Sequence, residues 1–174
     1  IFIYVVSGCS KSSSPASSEP DSTSTLTPWF SFDAGLEDWY AENPGLMTLT
    51  YTDVTKYAGT GAIKAACIFP DASDRIVFRK DFSTAVDVEN NTITFKVYVP
   101  ADLAGLTVKY QSVLWYEKYS NWRTVAGPQV TTSGWSDFSF YFSGYSPMTT
   151  TVLALEIKRP ATGDAWSGDL YFDH

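Results

Sequence analysis

From Trp29 onward, most of the chain alternates between hydrophobic and polar residues. Such alternation over roughly four to eight residues is typical of half-buried β-strands. Clusters of Gly, Pro, Asn and Asp separate the alternating stretches, and no segment sustains a helical period. The pattern predicts ten short strands and no helix, at residues 29–33, 46–53, 61–69, 74–82, 91–99, 106–116, 122–126, 135–142, 151–159 and 168–173. We therefore expect an all-β domain, a two-sheet antiparallel β-sandwich of the jelly-roll type.

Alternation also divides each strand into a core side and an outer side. The expected outer residues combine aromatic rings with long hydrogen-bonding groups: Tyr98, Gln111, Trp115, Tyr141, Glu156 and Lys158. If their strands share a sheet, these residues form a polar, aromatic surface able to bind sugar hydroxyls. A merely solvated sheet face is the alternative.

The segment 114–122 has the densest cluster of aromatic residues, with four large rings among charged and amide groups. Trp and Tyr have an apolar face and a polar edge, which suits flat ligands such as a sugar ring. The alternative for each ring is that it caps the sandwich core. By strand parity, Trp115 lies on the outer side, whereas Tyr119 and Trp122 belong to the next loop and strand start.

The first 28 residues differ sharply from the rest. Residues 1–8 are mostly apolar but too few to span a bilayer, and residues 9–28 are mainly Ser, Thr and Pro. Small residues before Cys9 resemble the lipobox of a bacterial lipoprotein, in which the cysteine is lipidated. We expect 1–8 to be a truncated signal peptide and 9–28 a lipidated cysteine with a flexible linker. An apolar stub with a chance cysteine is the alternative.

Composition narrows the class of protein further. Aromatic residues make up 16% of the chain, and the formal net charge is −7 without a local basic stripe. Such a charge disfavours nucleic acid as a partner. The residues 29–174 suffice for one domain with a single core, which we expect to be monomeric. Cys67 lies among alternating apolar residues and is expected in that core.

Four segments of the chain form a recognisable series. They are the opening Phe32-Asp33-Ala34-Gly35 followed by Trp39, the stretch Tyr57-Ala58-Gly59-Thr60-Gly61, the stretch from Gly134 to Phe140, and the closing Gly168-Asp169-Leu170-Tyr171-Phe172-Asp173. In their order and spacing they resemble carbohydrate-binding modules of the galactose-binding-like jelly-roll type. The resemblance covers about residues 29–174. It implies non-catalytic binding of β-linked polysaccharide, of the β-glucan or β-mannan type, in a module often joined to a glycoside hydrolase.

The resemblance also implies which residues face the ligand. The expected ligand-binding residues are Gln111, Trp115, Tyr119, Trp122, Glu156, Lys158 and Trp166. Trp39 and Trp135 are excluded, because such modules bury a Trp at these strand starts. Fusion of the module to a catalytic domain after residue 174 is a further expectation. We expect the protein at the bacterial cell surface or in the periplasm, held there by the lipid on Cys9, or otherwise secreted.

Relatives of this type often hold a structural calcium ion. Asp33 and Asp173 match the positions of its carboxylate ligands, with carbonyls near residues 56–61 as partners. Calcium prefers such oxygen ligands. The alternative is a pair of aspartates that cap strand ends.

Two other functions stay open. A small β-sandwich glycoside hydrolase would need a carboxylate pair, for which Glu117 and Glu156 are the candidates. The chain has one histidine, His174, and no Gly-x-Ser-x-Gly motif, which excludes a Ser-His hydrolase. A surface adhesin or a structural sandwich domain is the third reading.

Overall fold

The structure, a computed structural model, describes residues 30–70, 75–88, 92–104, 111–118, 121–126, 133–141, 149–158 and 165–174. The predicted signal peptide, Cys9, the linker and Tyr119 lie outside these residues. The described part contains ten strands and one helical turn: β1 (Tyr40–Ala41), β2 (Met47–Thr52), β3 (Ala62–Phe69), β4 (Arg75–Asp87), β5 (Thr92–Val99), α1 (Ala101–Ala104), β6 (Gln111–Lys118), β7 (Asn121–Ala126), β8 (Gly134–Tyr141), β9 (Thr149–Lys158) and β10 (Trp166–Asp173).

The strands form two five-stranded antiparallel sheets. The first sheet has the order β1-β4-β9-β6-β7, and the second has the order β2-β3-β10-β5-β8. This arrangement confirms the predicted two-sheet antiparallel β-sandwich. Among the described residues, no helix has the length and apolar character needed to cross a membrane.

The core lies between the sheets and is rich in aromatic rings. Trp39 is 2% exposed and contacts Phe30, Phe78 and Phe95 at centroid distances of 5.4, 4.8 and 5.9 Å. In β5 the alternate residues from Ile93 to Val99 are buried, as the sequence pattern predicts. Large rings of this kind bury enough apolar surface to hold two sheets of modest area together.

Cys67 is part of this core, as predicted. Its side chain is 2% exposed, and its Sγ donates a weak hydrogen bond to the Ala65 carbonyl at 3.2 Å. Burial raises the pKa of the Cys67 thiol to about 12. It is therefore a small core residue and not a reactive thiol.

The predicted strand at 29–33 is wrong for the residues described. Phe32 has a φ of 58°, and Glu37 and Asp38 also have positive φ, which a continuous strand does not allow. The Glu37 carboxylate accepts hydrogen bonds from the backbone N–H of Ser31 at 3.0 and 3.1 Å, which folds 31–38 into a compact loop. The helical turn α1 is also absent from the prediction, and β4 extends beyond residue 82 to Asp87.

Candidate functional site

Three adjacent strands of the first sheet, β9, β6 and β7, carry most of the predicted ligand-binding residues. Gln111 pairs with Lys158, Trp115 pairs with Ala154, and Glu156 pairs with Val113. On the far side of β6, Trp122 of β7 pairs with Glu117. Because side chains alternate along a strand, the positions of Gln111 and Trp115 share the sheet face of Glu156 and Lys158. The strand register thus places on one face several residues that the sequence pattern could only assign to the outer sides of separate strands.

Glu156 is a buried charge at the centre of this face. Its side chain is 1% exposed, whereas those of Arg75 and Lys158 are 56% and 44% exposed. Glu156 Oε2 lies 3.1 Å from Arg75 Nη1, and Oε1 lies 3.2 Å from Lys158 Nζ. A carboxylate withdrawn from water needs such partners to stay charged. The ion pairs hold two cationic donors at the rim of the face, where hydroxyl oxygens of a ligand could accept from them.

The residues at the middle of this face are covered by their neighbours. Val77 of β4 and Ala154 of β9 are 7% and 2% exposed, although both lie on the opposite side of the sheet from the core residue Leu155. Strand β9 is thus buried on both faces over its central part. A small residue at 154 beside the position of Trp115 gives the face a floor over which a ring could lie.

Tyr40 lies on the same face and has no counterpart in the sequence prediction. It is 41% exposed, and its register partner is Arg79, which also pairs with Ala154. Its hydroxyl donates to Asp81 Oδ2 at 2.8 Å, and burial raises the pKa of the Tyr40 phenol. The two-residue strand β1 is too short to produce an alternation pattern. The only sequence signal for Tyr40 as a candidate binding residue is therefore its aromatic side chain.

Trp166, the last of the predicted ligand-binding residues, lies apart from this face. It lies on β10 of the second sheet and is 7% exposed. The indole covers Gly168 and contacts Phe69, and its Nε1 donates to Asp102 Oδ2 at 3.2 Å. Trp166 lies on the core side of β10, the side of Leu170 and Phe172, and the glycine at 168 leaves room for the ring there.

Two further outer residues and one excluded tryptophan lie on the second sheet. Tyr98 and Tyr141 are in β5 and β8, so the six outer residues do not form one surface.

Trp39 is buried as predicted, but Trp135 is only half-buried and contacts Tyr57 and Tyr98 at 5.7 and 5.5 Å. Trp135 shares its side of β8 with exposed Asp137, while Phe138 points to the core. The expectation that Trp135 is buried is wrong.

Asp33 and Asp173 both contact the turn at residues 56–61. Asp33 Oδ1 accepts from the backbone N–H of Thr60 at 2.5 Å and from its hydroxyl at 3.0 Å, which lowers the pKa of Asp33. Asp173 is 0% exposed, and its Oδ2 accepts from the N–H groups of Tyr57 and Ala58 at 2.7 and 3.1 Å. The two carboxylates clamp one turn from two elements.

The oxygens at this turn are of the kind that calcium binds. Besides the two carboxylates, the carbonyl oxygens of Asp33 and Thr60 lie at this turn, and Thr60 O accepts from Lys56 Nζ at 3.2 Å and from Tyr51 Oη at 3.2 Å. Asp33 and Asp173 are the residues that would hold an ion. Within the described ranges, no three His, Cys, Asp or Glu residues cluster in a way that could hold a metal. The turn's own donors also satisfy these oxygens.

No protein-family model matches the chain, and no curated protein is similar to it in sequence. Solved structures do match. A carbohydrate-binding module of family 28, specific for non-crystalline cellulose, is 15% identical with a TM-score of 0.59, over 82% of this chain and 88% of that one. A structure from a study of promiscuous specificity among carbohydrate-binding modules of the β-sandwich superfamily is 15% identical with a TM-score of 0.56, over 78% and 52%.

The third match is a two-module fragment of an endo-1,4-β-D-xylanase, Xyn10B of Clostridium thermocellum, complexed with xylohexaose. It is 15% identical with a TM-score of 0.53, over 82% of this chain and 26% of that one. The chain therefore spans about half of one matched structure and a quarter of another. These comparisons, together with the sheet order, show that the described residues adopt the β-sandwich fold of carbohydrate-binding modules.

Proposed function

We propose that residues 29–174 form a non-catalytic module that binds β-linked polysaccharide, of the β-glucan or β-mannan type, on the outer face of the first sheet. One observation carries the proposal: Glu156 is 1% exposed and is paired with two half-exposed cations, on a face whose register includes Gln111 and Trp115. A face with fixed polar groups and aromatic positions is what a sugar chain requires. Similarity of fold to cellulose- and xylan-related modules supports the same class of ligand.

Affinity electrophoresis and calorimetry test the proposal with glucomannan, mixed-linkage glucan, xylan and galactomannan. We expect binding to at least one of them in the micromolar to millimolar range. Trp115→Ala should weaken it about tenfold or more. Tyr141→Ala is the control, because Tyr141 is 56% exposed on the other sheet. Failure of the native chain to bind any of the four polymers would overturn the proposal.

The geometry favours binding over hydrolysis. Glu156 pairs with Val113 of β6, and Glu117 lies four residues further along that strand. Their backbone positions are therefore about 13 Å apart along the strand, from a rise of about 3.3 Å per residue. Carboxylate pairs of glycoside hydrolases are roughly 5 to 9.5 Å apart, which would require both side chains to lean toward each other, whereas the Glu156 carboxylate is held by Arg75 and Lys158. Release of reducing sugar that disappears in both Glu117→Gln and Glu156→Gln would nevertheless establish the enzyme.

A structural calcium ion at the 56–61 turn is part of the proposal. The support is the set of carboxylate and carbonyl oxygens of Asp33, Thr60 and Asp173. A chelator should lower the melting temperature, and added calcium should restore it. If the chelator has no effect while Asp173→Asn still lowers the melting temperature, the carboxylates hold the turn through N–H groups and the ion is absent.

We also propose that Cys9 carries a lipid and that residues 9–28 tether the module at a bacterial membrane, with a catalytic domain joined to it in the complete protein. The support is the order of small residues, cysteine and a Ser-rich stretch. Behind an intact signal peptide in a bacterium, the protein should incorporate radiolabelled fatty acid and sediment with membranes. Cys9→Ser should abolish both, and labelling that survives this change would contradict the proposal.

A further inference from the structure

The outer face of the second sheet carries a row of aromatic residues in register. Tyr171 of β10 pairs with Tyr98 of β5, and Tyr98 pairs with Trp135 of β8. The ring centroids of successive neighbours are 5.8 and 5.5 Å apart, and each of the three side chains is half-buried. All three lie on the side of the sheet opposite the buried Val97 and Phe172. Adjacent aromatic side chains on an outer face are a feature of surfaces that bind a ligand or a partner.

The neighbouring turn extends the row. The ring of Tyr57 lies 5.7 Å from that of Trp135, is 51% exposed, and has Lys96 Nζ 4.2 Å from its centroid. Asp173 fixes the backbone of Tyr57. We call the set Tyr57, Tyr98, Trp135 and Tyr171 the aromatic row.

Ion pairs border the aromatic row and cancel their own charge. Lys64 Nζ lies 2.7 Å from Asp169 Oδ2, and Lys96 is paired with Asp137. These hydrogen bonds raise the pKa values of both lysines, which therefore keep their positive charge at neutral pH. An aspartate is paired with each lysine, and the nearby Asp102 adds no positive charge, so the surface has no excess of cations for a phosphate or a uronic acid and suits a neutral ligand.

A groove of about 330 Å³ lies beside Tyr98 and Tyr171. Its wall includes Asp102, Asp169 and Thr55. One oxygen of Asp102 accepts from the Leu103 N–H at 2.9 Å and the other from Trp166 Nε1, and each oxygen keeps a second lone pair. Hydroxyl donors of a sugar could bind there while a ring of the aromatic row covers its apolar face.

We propose that the aromatic row and this groove form a second carbohydrate site, which binds one neutral, soluble oligosaccharide chain. Neighbouring rings are tilted by 67° and 78°, so they do not form a plane and do not suit a flat crystalline surface. The site lies on the outer side of the sheet opposite that of Glu156, and the two sheets are themselves about 10 Å apart across the core, so a short oligosaccharide cannot occupy both sites. Two sites would let one module bridge two chains and raise its avidity.

The inference rests on the proposed function for its ligand class, but its test is separate. Calorimetry with cellohexaose, mannohexaose and xylohexaose should give a stoichiometry near two for at least one of them. In a Trp115→Ala background, the remaining binding should weaken about tenfold on Trp135→Ala or Tyr98→Ala. Tyr141→Ala is the matched control, since Tyr141 lies on the same face of β8 six residues from Trp135 and is 56% exposed.

A second measurement does not depend on any variant being folded: the amide chemical shifts of the unaltered protein are followed while sugar is added. Titrated sugar should shift Tyr57, Tyr98 and Tyr171 together, at a concentration different from that which shifts β9. A stoichiometry of one, with no shift in the aromatic row and no effect of Trp135→Ala, would overturn the second site and leave the first intact. Absence of any binding to the unaltered protein would overturn both.

Discussion

The carboxylate of Asp173 holds the backbone N–H of Tyr57 at 2.7 Å, across 116 positions of sequence. It thereby fastens the turn at 56–61 to the last residues of β10, which lies at the centre of the second sheet. The ring of Tyr57 in turn contacts Trp135. A single buried carboxylate therefore links the stability of the turn to the shape of the aromatic row.

Replacing Asp173 by Asn should lower both stability and second-site affinity. The amide has only one acceptor oxygen, so a part-buried N–H of Tyr57 or Ala58, or that of His174, loses its charged partner. The loss of one such charge-assisted hydrogen bond costs about 1–2 kcal/mol. Urea unfolding measures the loss, and Asp53→Asn on an exposed turn is the control. Equal midpoints for the two variants would contradict the clamp.

Stability should depend on pH through Asp33. Hydrogen bonds from Thr60 lower its pKa in the folded state. A lowered pKa means that the stabilisation is complete above the unfolded value of about 3.9 and is lost as pH falls through the lower folded value. The difference in unfolding free energy between the native protein and Asp33→Asn should therefore be constant above about pH 5 and shrink below pH 4. A difference that is independent of pH would show that the contact is not electrostatic.

Gly59 should couple energetically to Asp33. Gly59 has a φ of +59°, and a Cβ placed on it would lie 2.2 Å from Asp33 Oδ1. Gly59→Ala should destabilise the protein by about 1–3 kcal/mol, from backbone strain and displacement of the carboxylate. In an Asp33→Ala background only the strain remains, so the same change should cost less. Additive effects in this double-mutant cycle would contradict the contact.

Strands with strict alternation could be predicted from the sequence alone. In β3 and β5 the buried residues alternate from Ile63 to Phe69 and from Ile93 to Val99, and the side-chain period of two fixes which residues those are. The loop at 31–38 could not be predicted, because the positive φ values of Phe32, Glu37 and Asp38 depend on contacts such as that between Glu37 and Ser31. Its hydrophobic and polar residues alternate as in a strand, but its tertiary contacts fold it into a loop.

The candidate site was predicted less completely. Parity placed Gln111, Trp115, Glu156 and Lys158 on outer faces, and the sheet order brings them together. Parity could not show that Tyr98 and Tyr141 belong to the other sheet, because strand order depends on long-range pairing. It also could not show that Glu156 is buried or that Trp166 folds over Gly168, since both follow from neighbours in space.

Cys67 should react with thiol reagents only after unfolding. Its side chain is 2% exposed, and its pKa is raised to about 12, so at pH 8 the reactive thiolate is scarce and shielded. In a Cys9→Ser background, a disulfide reagent should label the native protein slowly and label it at once in concentrated urea. Rapid labelling without urea would contradict a closed core around β3.

Glu156 should be the carboxylate whose loss costs most on the first sheet. Glu156→Gln keeps the shape of the side chain but removes the charge that pairs with Arg75 and Lys158. The buried amide then has one acceptor oxygen, instead of two, for the N–H donors of these two residues. We expect a loss of about 1–3 kcal/mol in unfolding free energy and weaker polysaccharide binding. Asp137→Asn is the control: it is likewise paired with a lysine, but its side chain is 62% exposed, so its loss should cost under about 1 kcal/mol. Equal losses in the two variants would mean that the burial of Glu156 does not strengthen its ion pairs, and unchanged binding would remove it from the site.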